Sequence, residues 1–121
     1  MLGYKALAQG LSGPLSACIC KDTQAAISAA GTTQGTATEL KAADNELTTV
    51  GAGSGVALAS ALAAGDSQTV FNAGANAVKI YPPVGMQINA LAANAAMTLA
   101  PNTGCFFKCI SATRVFGILS A

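Results

Sequence analysis

Four cysteines are the side chains here with the widest choice of chemistry, and they form two close pairs, Cys18-Ile19-Cys20 and Cys105 with Cys109. Structural zinc wants Cys pairs separated by about two to four residues, so the first pair is too tight and the second marginal. On a strand, residues two or four apart share a face, so each pair can point one way. The chain has no His to complete a ligand set and no basic cluster to draw out thiolates. Burial as small apolar groups is therefore the leading role for these residues, with a disulfide second and metal third.

Other reactive constellations are thinner still. The acids Asp22, Glu39, Asp44, Glu46 and Asp66 fall mostly in a stretch poor in large apolar residues, and no His is present for general-base work. Ser and Thr are plentiful but have no evident activating base. Gly51-Ala52-Gly53-Ser54-Gly55 has the glycines of a phosphate loop without its spacing, its following helix or its downstream acid, and reads as a flexible turn. An enzyme is not expected, and neither is a cofactor or a bound metal.

Composition narrows the partners. Only 9% of the 121 residues are charged, against about 25% in ordinary globular domains. Lys5, Lys21, Lys41, Lys79, Lys108 and Arg114 stand singly, so no phosphate-neutralising patch forms and nucleic acid is not an expected partner. No run approaches the ~18 apolar residues of a membrane-spanning helix, and no membrane partner is expected. Leu15-Ser16-Ala17-Cys18 matches a lipoprotein cleavage pattern, but the residues before it make a poor apolar core for an export signal.

Leu, Ile, Val, Phe and Met supply only 30 residues, and Ala makes up much of the remaining apolar fraction. Each large side chain contributes about 1.5–3 kcal/mol when buried, while ordering the backbone costs about 1–2 kcal/mol per residue. The core of a lone subunit looks thin, so an oligomer that shares apolar faces is expected.

The elements that would position these residues read as short strands. Gln68-Thr69-Val70-Phe71 and Ala77-Val78-Lys79-Ile80-Tyr81 flank Asn72-Ala73-Gly74-Ala75-Asn76, which predicts a hairpin. Pro82-Pro83 ends the second strand and suits a sheet edge. Further strands are expected at Leu47-Thr48-Thr49-Val50, Val56-Ala57-Leu58, Gln87-Ile88-Asn89, Ala96-Met97-Thr98-Leu99, residues 105–110 and residues 114–119. Residues 60–64 read as a helical turn or loop. Pro101-Asn102-Thr103-Gly104 reads as a turn in which Gly supplies the positive φ. In residues 105–110, Cys105, Phe107 and Cys109 share one face, and Phe106, Lys108 and Ile110 the other. Asn72, Asn76, Asn89, Asn94 and Asn102 read first as turn formers, and second as a sugar-binding surface beside Tyr81. No strict internal repeat is visible.

The expected fold is all-β: a small antiparallel sandwich or jelly-roll-like module over residues 46–121. Residues 1–45, with few large apolar side chains past Leu15, are expected to be an extended or loosely ordered N-terminal arm.

The runs Thr23-Gln24-Ala25-Ala26-Ile27, Gly31-Thr32-Thr33-Gln34-Gly35-Thr36-Ala37-Thr38 and Leu47-Thr48-Thr49-Val50-Gly51-Ala52-Gly53-Ser54-Gly55-Val56 form the first part of a phrase. It continues through residues 64–76, Val78-Lys79-Ile80-Tyr81-Pro82-Pro83 and Ile88-Asn89-Ala90-Leu91-Ala92-Ala93-Asn94-Ala95. Over residues 23–121 this resembles a group of small virion proteins of tailed bacteriophages. The phrase's usual final Trp position falls near Val115-Phe116. The resemblance implies a capsid decoration (cement) protein on the outer surface of the virion head, commonly a homotrimer, with the major capsid protein and itself as partners. It also admits a head- or tail-fibre or receptor-binding module, while an exported lipoprotein is a more distant alternative. Expected contact residues are Leu2, Tyr4, Leu7 and Leu11 in the arm and Phe106, Phe107 and Phe116 in the body.

Overall fold

A computed structural model describes residues 22–120, and these contain ten strands and no helix. The chain alternates between two sheets. β1 (Thr23–Ser28), β3 (Asp44–Thr49) and β5 (Ser67–Asn72) lie in one sheet, and β2 (Thr38–Glu39), β4 (Gly55–Ala57) and β6 (Val78–Tyr81) in the other. Within each sheet these strands pair in parallel, so the first half of the described chain is a stack of three solenoid-like coils. Parallel neighbours need a long crossover. Here each crossover is a strand of the opposite sheet.

The second half closes the stack with antiparallel pairing. β8 (Met97–Leu99) runs antiparallel to β6, β9 (Thr103–Ser111) antiparallel to β5, and β10 (Arg114–Leu119) antiparallel to β9. β7 (Gln87–Ile88) pairs in parallel with β10. The six-stranded order is β1-β3-β5-β9-β10-β7 and the four-stranded order β2-β4-β6-β8.

The all-β class therefore holds, but the sheets are mixed and not antiparallel. The coils repeat in space without repeating in sequence. Asp44 stands opposite Thr23, and Thr69 opposite Asp44, across loops of unequal length. The expected hairpin does not form, because β5 and β6 belong to different sheets. The Asn72–Asn76 connection does contain the Asx turn its residues favour, with Gly74 N–H donating to Asn72 Oδ1 at 2.9 Å. That bond fixes a bend but does not choose the next strand's partner. β6 is flanked by β4 and β8, so Pro82-Pro83 ends an interior strand. At residues 101–104 the left-handed position falls on Asn102, with φ 60°, while Gly104 is already in β9.

Part of the expected arm is built into the body. Residues 22–45 supply β1, β2 and the start of β3, and Ile27 and Leu40 are buried in the core. Backbone pairing secures this stretch where side-chain volume is scarce: Ala29 N–H donates to Thr49 O at 2.9 Å and Leu40 N–H to Ala57 O at 2.8 Å. β1 is an edge strand with a bulge between Gln24 and Ile27, where Ala26 takes φ 58°. Such an irregularity discourages further strand addition.

The core lies between the sheets. Period-2 alternation sends Leu47, Val70, Cys105, Phe107, Cys109 and Val115 inward from the large sheet, against Val56, Val78, Ile80 and Leu99 from the small one. Gly117 stands opposite Phe107 on β10, and a Cβ there would lie 3.0 Å from the Phe107 ring and 3.1 Å from Cys105 Sγ. The missing side chain makes room for the largest core residue.

Three inward positions of the large sheet are amides. Gln68 Nε2 donates to the carbonyls of Leu40 and Ala42, both at 2.9 Å, and its Oε1 accepts from Ala59 N–H at 3.0 Å. Asn72 Nδ2 donates to Asn76 O at 2.9 Å and Leu99 O at 3.0 Å. Asn45 Nδ2 donates to Ala42 O at 2.8 Å and Thr69 O at 3.2 Å. These bonds tie loops between the sheets to the core. Phe107→Ala is expected to cost about 3–5 kcal/mol by opening a cavity. Asn72→Ala is expected to cost about 1–3 kcal/mol by stranding buried carbonyls. Urea unfolding of each variant measures both.

Candidate interaction surface

The alternation that fills the core also decides what the large sheet shows to solvent. Ser67, Thr69 and Phe71 point outward from β5, Phe106, Lys108 and Ile110 from β9, and Phe116 and Ile118 from β10. The register aligns Thr69 with Phe106 and Phe106 with Ile118, and Lys108 with Phe116. Phe71 stands opposite Gly104, and a Cβ on Gly104 would be 2.8 Å from the Phe71 ring. The ring thus covers the glycine, a known way of protecting a strand that lacks a side chain. Diagonal neighbours across a ladder are close enough for aromatic side chains to touch. Phe71, Phe106, Phe116 and Ile118 therefore form one oblique apolar strip, each 40–67% exposed. Scattered exposed apolar residues are ordinary, but a contiguous strip marks a contact surface.

Charged side chains border the strip and reach into it. Asp44 and Glu46, exposed on β3, stand opposite Thr69 and Phe71. On the far side, Arg114 lies 5.6 Å from the Phe116 ring centroid, within cation–π range. Lys108 Nζ donates to Gly65 O at 2.7 Å, which holds its ammonium beside the strip.

Phe106 and Phe116, expected as contact residues, share this face. Phe107 does not: it is fully buried, because its parity places it between the sheets. Leu2, Tyr4, Leu7 and Leu11 lie outside the described residues, as do Cys18 and Cys20. Phe71 and Ile118 were missed, and the signal for both is parity. Phe71 shares a face with Thr69, which the β5–β9 register sets beside Phe106.

The other candidate sites carry less. Tyr81, the platform for a sugar surface, is buried and donates its hydroxyl to Thr32 O at 2.9 Å. Asn89, Asn94 and Asn102 do adopt left-handed turn conformations. Ser54 closes the glycine-rich turn on Gly51 O through its N–H at 3.0 Å and its hydroxyl at 2.7 Å. A shallow cleft of about 270 Å³ is lined by Asp22, Lys41, Asp66 and Gln68 among others. Much of its polar lining is engaged with backbone: Asp22 Oδ2 accepts from Ala43 N–H and Asp66 Oδ2 from Ala63 N–H. No cluster of metal-ligating side chains occurs among the described residues.

Cys105 and Cys109 are buried free thiols. Burial pushes the Cys105 thiol up to about 11, and burial together with the Asp66 carboxylate raises that of Cys109. Both therefore behave as core apolar groups and not as nucleophiles.

No family model matches the chain, and comparison with curated proteins and with solved structures found no match.

An unfolded thiol ionises near 8.5, far below the folded Cys105 value, so Cys105 contributes stability that is present at neutral pH. That contribution is lost as pH rises from about 8.5 towards 11, and denaturant midpoints are expected to fall across that window. Iodoacetamide at pH 8, with adducts mapped by peptide mass, is expected to spare Cys105 and Cys109 in the folded chain and label both after denaturation.

Proposed function

We propose that this chain is a structural subunit of a tailed-bacteriophage particle, a decoration (cement) protein that binds the major capsid protein on the head surface and braces the shell. The observation that carries the reading is the aromatic strip on the outer face of the large sheet. Aromatic anchors on a rigid support dominate the energy of protein–protein contacts. Here Phe71, Phe106 and Phe116 stand on strands that are paired on both sides. Low charge density favours the close packing a shell protein needs, because few ions must be desolvated on contact. The role is mechanical and not catalytic. Self-association belongs to the same reading, and the resemblance to small virion proteins implies three-fold assembly.

One feature favours a second reading. The stacked parallel coils of β1 to β6 are the kind of unit from which elongated modules are built, and a head- or tail-fibre module would use them so.

Quantitative mass spectrometry of purified particles separates the two. A copy number comparable with the main shell subunit, or a simple large fraction of it, is the expected result. A handful of copies per particle would favour the fibre module. Complete absence from the particle would overturn both.

A further inference from the structure

We infer that Asn89 closes the edge of β10 against strand addition, so that another chain meets this one on the face of the six-stranded sheet and not along that edge. The closure stands on the geometry of Asn89 alone, while leaving contact to the face rests on reading the aromatic strip as the docking surface.

β10 has need of such a closure. β7 is two residues long and pairs with β10 only at Arg114 and Val115. Beyond it runs Phe116-Gly117-Ile118-Leu119, uncharged and free of Pro, with Phe116, Ile118 and Leu119 exposed. A bare edge of that composition is a template for another strand. The rungs of this ladder are regular as far as Val115: Gln87 N–H donates to Thr113 O and Asn89 N–H to Val115 O, both at 2.9 Å. The next rung calls for a peptide group that accepts from Gly117 N–H and donates to Gly117 O. The backbone after β7 does not supply it. Asn89 turns away at φ 52°, its carbonyl accepts from Gln87 Nε2 at 3.2 Å, and Leu91 N–H bends back to Ile88 O at 3.0 Å.

The Asn89 side chain supplies the rung instead. Gly117 N–H donates to Asn89 Oδ1 at 2.9 Å, and Asn89 Nδ2 donates to Gly117 O at 3.3 Å. A carboxamide offers the donor and acceptor of a peptide group, and Asn is among the residues that best tolerate a left-handed backbone. One residue thus ends β7 and covers the next edge position of β10. Leu119 is the edge position after that. Ser120 N–H donates to Gly104 O of β9 at 2.8 Å, so by alternation Leu119 N–H points away from β9, and it has no partner among the described residues. At the opposite side of the sheet, the β1 edge is interrupted by its bulge at Ala26. With both edges irregular, the outer face is the part of this sheet left open to another chain.

Two measurements on the full-length chain test this. In amide hydrogen exchange of the unaltered chain, Gly117 is expected to be protected and Leu119 to exchange about tenfold faster or more. Asn89→Gly keeps the left-handed backbone and removes the amide. In sedimentation velocity at micromolar concentration, N89G is expected to form species larger than those of the unaltered chain, growing with concentration. Adding Leu119→Lys places a charge on the opened edge and is expected to return the distribution to that of the unaltered chain. Gly117 exchanging as fast as Leu119, N89G sedimenting as the unaltered chain does, or larger species that survive L119K would each overturn the closure. The exchange measurement needs no variant, so it decides even where N89G does not fold. None of these readouts depends on the copy number in particles, so the closure and the decoration reading fail separately.

Discussion

Two sheets whose strands alternate along the chain from β1 to β9 must turn a corner after each of these strands, and each corner leaves backbone groups without a ladder partner. Buried backbone polar groups have to be paired. The rest of the structure depends on how three side-chain amides meet that constraint. Gln68 engages two carbonyls of the β2–β3 loop and an N–H of the β4–β5 loop. Asn72 binds its own corner and, through Leu99 O, the end of β8. Asn45 reaches Ala42 and Thr69. Its Oδ1 has no partner among the described residues, a local cost set against two donated bonds. A purely apolar interior would leave the corners unsatisfied.

The amides also explain how a modest set of large apolar residues suffices. Each buried amide joins segments far apart in sequence, as Gln68 does with Leu40 and Ala42. The sheets are thereby held in one register by polar ties as well as by apolar burial. A fixed register is what turns alternation into a surface. Phe107 fills the core while Phe106, its neighbour, faces solvent, and the strip exists only because β5, β9 and β10 keep that parity together.

What the residues reveal by themselves follows from the range of the forces involved. The alternation in β9 was legible because it is a property of one strand, and so was the stop at Pro82-Pro83. The parallel coils were not. Their pairing is decided between segments about 20 residues apart, and Thr23-Gln24-Ala25-Ala26-Ile27-Ser28 offers only one large apolar side chain to announce β1. The Asn72–Asn76 bend was recognised as a turn but assigned to a hairpin, since local chemistry sets the bend and the sheet partners set its destination. Among the expected contact residues, Phe106 and Phe116 share the outer face of the large sheet by parity. Phe107 was included on residue type alone, and its parity with Cys105 and Cys109 already argued for the interior.

The antiparallel β9–β10 hairpin at the end of the coils bears on how the chain acquires its structure. Among the ladders of the large sheet, only β9 with β10 joins neighbours across a tight turn; the others close long stretches of chain before any pairing is gained. Loop closure of that kind makes folding slow. β5 has no second neighbour until β9 has been synthesised, so a nascent chain that has completed the parallel coils still presents an open sheet edge at β5. The same hairpin that completes the sheet thus ends the interval in which that edge is exposed to the edges of other unfinished chains.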